Sequence, residues 1–166
     1  ASASAWAGVW GACSCTGMSS KPITRVSTKE STTESAITAN TQAMLITRGL
    51  NEVARLCAAH GSDPLSAAGL AGMGDLVATC GSPLSRNRTF GELLGKTGSM
   101  EMAIAQGAKT VEGVASSGAI VEIAHRVGIE VPVIEAVADI VNGSLSPEQA
   151  LTRLMEITTK AENFIR

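Results

Sequence analysis

The sequence predicts an all-α domain over residues 37–166, and three observations predict it. Aromatic residues make up only 2% of the chain and Tyr is absent. Leu, Ile, Val, Met and Ala must therefore fill the core, which suits packed helices better than sheets built on aromatic and β-branched side chains. No convincing run of alternating apolar and polar residues marks a strand. From Ala36 onward, Gly, Pro and Ser fall where helices start and stop.

Residues 1–36 read differently. They are rich in Ser and Thr, and Ser19-Ser-Lys-Pro22 and Ser27-Thr-Lys-Glu-Ser-Thr-Thr33 read as irregular chain. The first helix is expected from Ala36 to His60: Ile37, Met44, Leu45, Leu50, Val53, Leu56 and Cys57 recur near a 3.6-residue period, and Gly61 is placed to end it. Asp63-Pro64 supplies a cap and a proline at the first helical position, opening a short helix. Gly69 to Gly74 is a glycine-dense turn ending at Asp75. Helices are expected over about 85–95, 99–106 and 111–127, the last stopped by Gly128. Pro132 starts another, running to Asn142-Gly143. Ser146-Pro-Glu-Gln149 combines an N-cap, a proline and a capping-box Gln, and opens the final helix through about 159.

The chain has 166 residues, enough for one domain with a proper core and too few for two full ones. Its net charge of −2 argues against general nucleic-acid binding, which needs a basic face to neutralise phosphates. Any bound anion must be met by a local cluster of donors. No apolar stretch approaches the roughly 18 residues of a membrane span, and no secretory signal is expected from the N-terminal text. Cys13, Cys15, Cys57 and Cys80 show no zinc-finger spacing, so they read as reduced thiols of a cytoplasmic protein, with no metal. No G-x-G-x-x-G follows a hydrophobic strand, so the sequence carries no dinucleotide-binding fingerprint.

Three constellations are candidates for chemistry. In Gly72-Met-Gly-Asp-Leu-Val-Ala-Thr-Cys80, the glycines let backbone approach a ligand or a second helix closely, and Asp75 can serve as a cap or as a functional acid. Ser85-Arg-Asn-Arg-Thr89 places a Ser at a helix start next to Arg and Asn. The N–H groups and the positive end of the helix dipole suit a phosphate monoester, and Arg adds a two-pronged contact. A surface turn with solvated arginines reads equally well from spacing alone. In Thr110-Val-Glu-Gly113, Glu112 complements the dipole of the helix that it opens. His60 and His125 sit near helix C-termini and read as structural.

Together these residues resemble the C-terminal domain of bacterial and plastid-type NAD(P)-dependent glycerol-3-phosphate dehydrogenases. The resemblance runs from Asn40 to about Leu154, through Asn40–Gly49, Gly69–Cys80, Leu84-Ser-Arg-Asn-Arg-Thr-Phe-Gly91, Val111–Val114 and Val131-Pro-Val-Ile134. It implies an all-helical substrate-binding domain like the C-terminal domain of 6-phosphogluconate-dehydrogenase-like enzymes. It also implies NAD(P)H as cofactor, held mainly by a separate Rossmann domain, and interconversion of dihydroxyacetone phosphate and sn-glycerol 3-phosphate in glycerophospholipid synthesis. Asp75 and Thr79 would lie at the reacting end of the substrate. Ser85, Arg86 and Asn87 would bind substrate, with Arg86 also touching the cofactor, and Thr110 and Glu112 would lie near the cofactor. A homodimer is kept open as the assembly.

In the family that the chain resembles, the catalytic lysine, a general acid towards the ketone oxygen, lies about eighteen residues before the position matching Asn40. At that offset this chain has Pro22, with Lys21 beside it, and Pro22–Ala36 resembles nothing in the family. Residues 1–36 are therefore read as text foreign to the family, and the chain alone is expected to bind without turnover. The rival readings are the substrate domain of a hydroxy-acid dehydrogenase, which would not need Arg86-Asn87 at a helix start, and a helical binding or oligomerisation module without catalysis.

Overall fold

A computed structural model describes residues 28–106 and 112–157, with side chains described from 39 to 106 and from 113 to 157. Every regular element among the described residues is helical. α1 (Thr28–Ala59) leads into a 3-10 turn (Pro64–Ala68) and a π-helical turn (Leu70–Gly74). Then come α2 (Asp75–Gly81), α3 (Arg86–Thr97), α4 (Met100–Ala105), α5 (Glu112–Arg126), α6 (Pro132–Val141) and α7 (Pro147–Glu156).

The local punctuation accounts for most of these boundaries. Asp63 Oδ1 accepts the Leu65 N–H at 2.9 Å in front of Pro64. Ser85 caps α3, Ser99 caps α4, and Ser146 with Gln149 forms the capping box of α7. Gly61 and Gly128 take φ values of +77° and +70°, the left-handed conformation that ends a helix without penalty in glycine.

Helix α1 departs from expectation. It begins at Thr28, ahead of the expected Ala36, so Thr28–Ser35 are helical where irregular chain was expected. No Gly or Pro interrupts this stretch, and adding a residue to an existing helix costs little compared with starting one. The rest of the segment expected to be irregular, with Lys21, lies outside the described residues.

Helix α6 forms the centre of the core. Val133, Ile134, Ala136, Val137, Ala138 and Ile140 are all buried on it, and it packs against α1, α5 and α7. From α1 the core receives Leu45, Leu50, Val53, Ala54 and Leu56. A buried aliphatic side chain of this size contributes about 1.5–3 kcal/mol relative to exposure, so this layer dominates the fold's stability.

Polar side chains of α1 reach the ends of three other helices. Gln42 Nε2 donates to the Cys80 carbonyl in the last turn of α2 at 3.0 Å. Arg48 donates to the Leu154 carbonyl and, at 3.2 Å, to the Ile157 carbonyl at the end of α7. Glu52, only 2% exposed, accepts the N–H groups of Val133 at 2.8 Å and Ile134 at 3.1 Å at the start of α6. That helix has no cap of its own, because Val131 offers no side-chain oxygen. Terminal N–H and C=O groups lack intrahelical partners, so each contact satisfies a group that burial would otherwise orphan.

Candidate functional site

The site predicted from sequence is built on α2, α3 and the turns that precede α2. Gly72 makes the approach possible. A Cβ there would stand 2.0 Å from the Ala67 carbonyl oxygen, so only glycine lets the π turn lie against the 3-10 turn. The π turn then runs straight into α2. Gly74 is already in the right-handed helical conformation, and the Asp75 N–H donates to the Gly72 and Leu70 carbonyls.

Asp75 is consequently the first residue inside α2 and not its N-cap. That position falls on Gly74, which has no side chain to offer, and backbone carbonyls of the π turn take the Asp75 N–H. Its carboxylate is half-buried in the first turn of α2, and Thr79, also half-buried, lies one turn further on. An i, i+4 spacing sets both on one face of the helix.

After Gly81 the chain crosses Ser82–Leu84 and enters α3. Ser85 is its N-cap, with Oγ accepting the Arg88 N–H at 3.2 Å. Arg86 is exposed and Asn87 half-buried in the first turn, where the helix dipole favours an anion. α2 packs on α3 and also on α1. The structure therefore sets Asp75 and Thr79 on one short helix, and Ser85, Arg86 and Asn87 at the head of the helix packed beside it.

Arg88 behaves differently from Arg86. Its guanidinium turns back, donating to the Gly81 carbonyl at 2.6 Å through Nη1 and to Glu92 Oε1 at 2.8 Å through Nε. Burial pushes the Cys80 thiol up to about 11, with the Arg88 charge opposing the rise and the Asp75 charge adding to it. Both charges thus act on one thiol at the junction of α2 and α3. Arg88 and Gln42 are the residues here that the sequence reading left without a role. Only their place inside the matched text, Leu84–Gly91 and Asn40–Gly49, pointed to them.

Other predicted residues stand apart or outside. Glu112 is the first residue of α5, which packs chiefly on α6; its side chain and Thr110 lie outside the described residues. His125 pairs with Glu135 at 2.8 Å between α5 and α6, in keeping with its structural reading. An open cleft of about 510 Å³ runs between Leu94–Glu101 and Ile140–Gln149, and none of the predicted site residues lines it. Among the described residues, no group of three His, Cys, Asp or Glu is placed to hold a metal ion. No helix among them is long and apolar enough to cross a membrane.

The described residues form an all-helical domain with an acid, Asp75, on one short helix and a Ser-Arg-Asn start on the next. Comparison with known proteins makes this specific. The family model for the NAD-dependent glycerol-3-phosphate dehydrogenase C-terminus matches residues 32–152. Glycerol-3-phosphate dehydrogenase [NAD(P)+] of Thermobifida fusca is 50% identical over 125 residues, covering 75% of this chain and 37% of that protein. Its counterpart from Streptomyces griseus is 49% identical over 123 residues, covering 74% of this chain and 37% of that protein. The crystal structure of glycerol-3-phosphate dehydrogenase from Coxiella burnetii superposes with a TM-score of 0.74 at 29% identity, covering 93% of this chain and 43% of that one. The chain belongs to the NAD-dependent glycerol-3-phosphate dehydrogenase family and corresponds to its C-terminal part. It spans about 37% of the length of the curated relatives it matches.

The family's dinucleotide does not fit a site made of the described residues alone. They contain no strand, and so no strand–turn–helix cradle for a pyrophosphate.

Proposed function

We propose that this chain is the substrate-binding part of an NAD(P)-dependent oxidoreductase that interconverts sn-glycerol 3-phosphate and dihydroxyacetone phosphate, supplying glycerophospholipid synthesis in the cytoplasm. The observation that carries the proposal is the family match over residues 32–152, which includes both α2 and α3. In this reading Arg86, Asn87 and the start of α3 hold the phosphate, with Ser85 adding its hydroxyl. Asp75 and Thr79 face the reacting end of the polyol. Arg86 and Glu112, with Thr110, border the cofactor, and the enzyme works as a homodimer. A charged anchor remote from the reacting carbon lets binding energy serve orientation.

Thermal denaturation with three additives tests the proposal. A ligand that binds only the folded state adds about 2.7 kcal/mol at 100 times its Kd, which raises Tm by about 5–10 °C for a domain of this size. The expected result is a rise with sn-glycerol 3-phosphate and none with glycerol. No rise with either favours a helical module without this substrate. An equal rise with a phosphate-free hydroxy acid favours the other dehydrogenase class.

A further inference from the structure

We propose that Arg88 is a positioning residue that locks the helix carrying Asp75 and Thr79 against the helix start formed by Ser85, Arg86 and Asn87. The inference rests on the glycerol phosphate reading above and deepens it, because it assigns how the two halves of the site are held in register.

Helix α2 is only seven residues long, Asp75–Gly81. A helix this short has little stability of its own, so its direction depends on what grips it. At its start it is continuous with the π turn. At its end, where the last carbonyls have no intrahelical partner, two side chains take hold. Gln42 of α1 donates to the Cys80 carbonyl at 3.0 Å and Arg88 of α3 donates to the Gly81 carbonyl at 2.6 Å. Gln42 ties α2 to the body of the domain. Arg88 ties it to the other half of the site.

Three features make Arg88 suited to this work. Its cation sits at the negative end of the α2 dipole, where positive charge is favoured. Glu92, one turn further along α3, holds Nε at 2.8 Å in an i, i+4 pair, so the guanidinium fork is aimed before it meets Gly81. Its backbone N–H donates to Ser85 Oγ at 3.2 Å, so the side chain that grips the end of α2 springs from the capped turn of α3. The neighbouring Arg86 is exposed in the first turn. The two arginines of Ser-Arg-Asn-Arg thus divide the labour: Arg86 is the ligand-facing one and Arg88 the one that sets the geometry.

The test measures dissociation constants of the full chain for sn-glycerol 3-phosphate and for inorganic phosphate by calorimetry. Inorganic phosphate engages only the α3 half, whereas the glycerol phosphate spans both. Arg88→Ala is expected to weaken sn-glycerol 3-phosphate about tenfold and inorganic phosphate less than about threefold, so the preference for the larger ligand collapses. Glu92→Gln, which leaves Arg88 in place but frees its aim, gives the same selective loss in smaller degree. Arg88→Lys restores part of the preference, because an ammonium can still reach a carbonyl. A loss of stability alone would leave the ratio of the two constants unchanged in folded protein. Should Arg88→Ala not fold, the Glu92→Gln and Arg88→Lys ratios decide. Parallel loss of both ligands, or an unchanged ratio, overturns the positioning role while leaving the substrate reading intact. Failure of the unsubstituted chain to prefer sn-glycerol 3-phosphate overturns the substrate reading and this role with it.

Discussion

Glu52 makes the stability of this domain depend on pH in a direction opposite to that of most carboxylates. Burial pushes its carboxyl from the usual 4.5 up to about 7, outweighing the Val133 and Ile134 N–H bonds and the Arg55 charge, which lower it, while Glu135 adds to the rise. Between pH 4.5 and about 7 the folded chain holds a proton that the unfolded chain has released. Stability is therefore fullest at or below the unfolded value and falls as pH rises through this window. A shift of this size corresponds to about 3 kcal/mol lost on going from pH 4 to pH 8, a substantial part of the 5–15 kcal/mol typical of a domain. Urea denaturation followed by circular dichroism at stepped pH measures it. Glu52→Gln supplies the reference, since it removes this one carboxyl and the difference between the two profiles reports its linkage. The substitution itself should cost about 1–3 kcal/mol near pH 5, because one amide oxygen replaces two acceptors and the new NH2 faces a backbone N–H. Parallel profiles for the two proteins between pH 4 and pH 8 would refute the reasoning.

Gly72→Ala should destabilise the domain by about 3 kcal/mol or more, because its Cβ meets the backbone of Ala67 and not a movable side chain. Gly81→Ala, which meets nothing within 4 Å, serves as the matched control in thermal denaturation and should differ little from the parent. Arg48→Ala should cost about 1–3 kcal/mol and raise hydrogen exchange at the end of α7 before elsewhere, since both its partners, the Leu154 and Ile157 carbonyls, lie there. In a Cys13→Ser, Cys15→Ser background, a thiol reagent at pH 8 should label the half-buried Cys57 and spare Cys80. The Cys80 thiol is buried and held up to about 11, so its labelling should await unfolding.

The helices were legible where their start and stop signals are local. Pro64, Pro132, Ser146 and Gly128 each act on backbone within a turn of themselves, so residue type alone reveals them. Thr28–Ser35 were misread because residue type there is indifferent: a Ser- and Thr-rich stretch without Gly or Pro goes whichever way its neighbour leads. Glu52 could not be seen as a cap, since its partners are 81 and 82 residues away and Val131-Pro132 has no polar side chain to suggest one. In the candidate site, Ser85 was readable as a helix start. That Gly74 and not Asp75 takes the N-cap position of α2 follows from the π turn, a backbone event with no side-chain signature. Arg88 and Arg86 look alike in sequence, and only the position of the Gly81 carbonyl separates them.

The reach of α1 sets a limit on how this domain can be cut. Gln42, Arg48 and Glu52 lie within three turns of one helix, and between them they complete the ends of α2, α7 and α6. A piece beginning after Gly61 would keep every contact among the later helices yet leave three of their termini with nothing to bind but water. Those termini would have to be rescued together, by supplying α1 as a separate peptide. Because a single segment serves all three, such complementation should restore the structure in one step and not piecemeal.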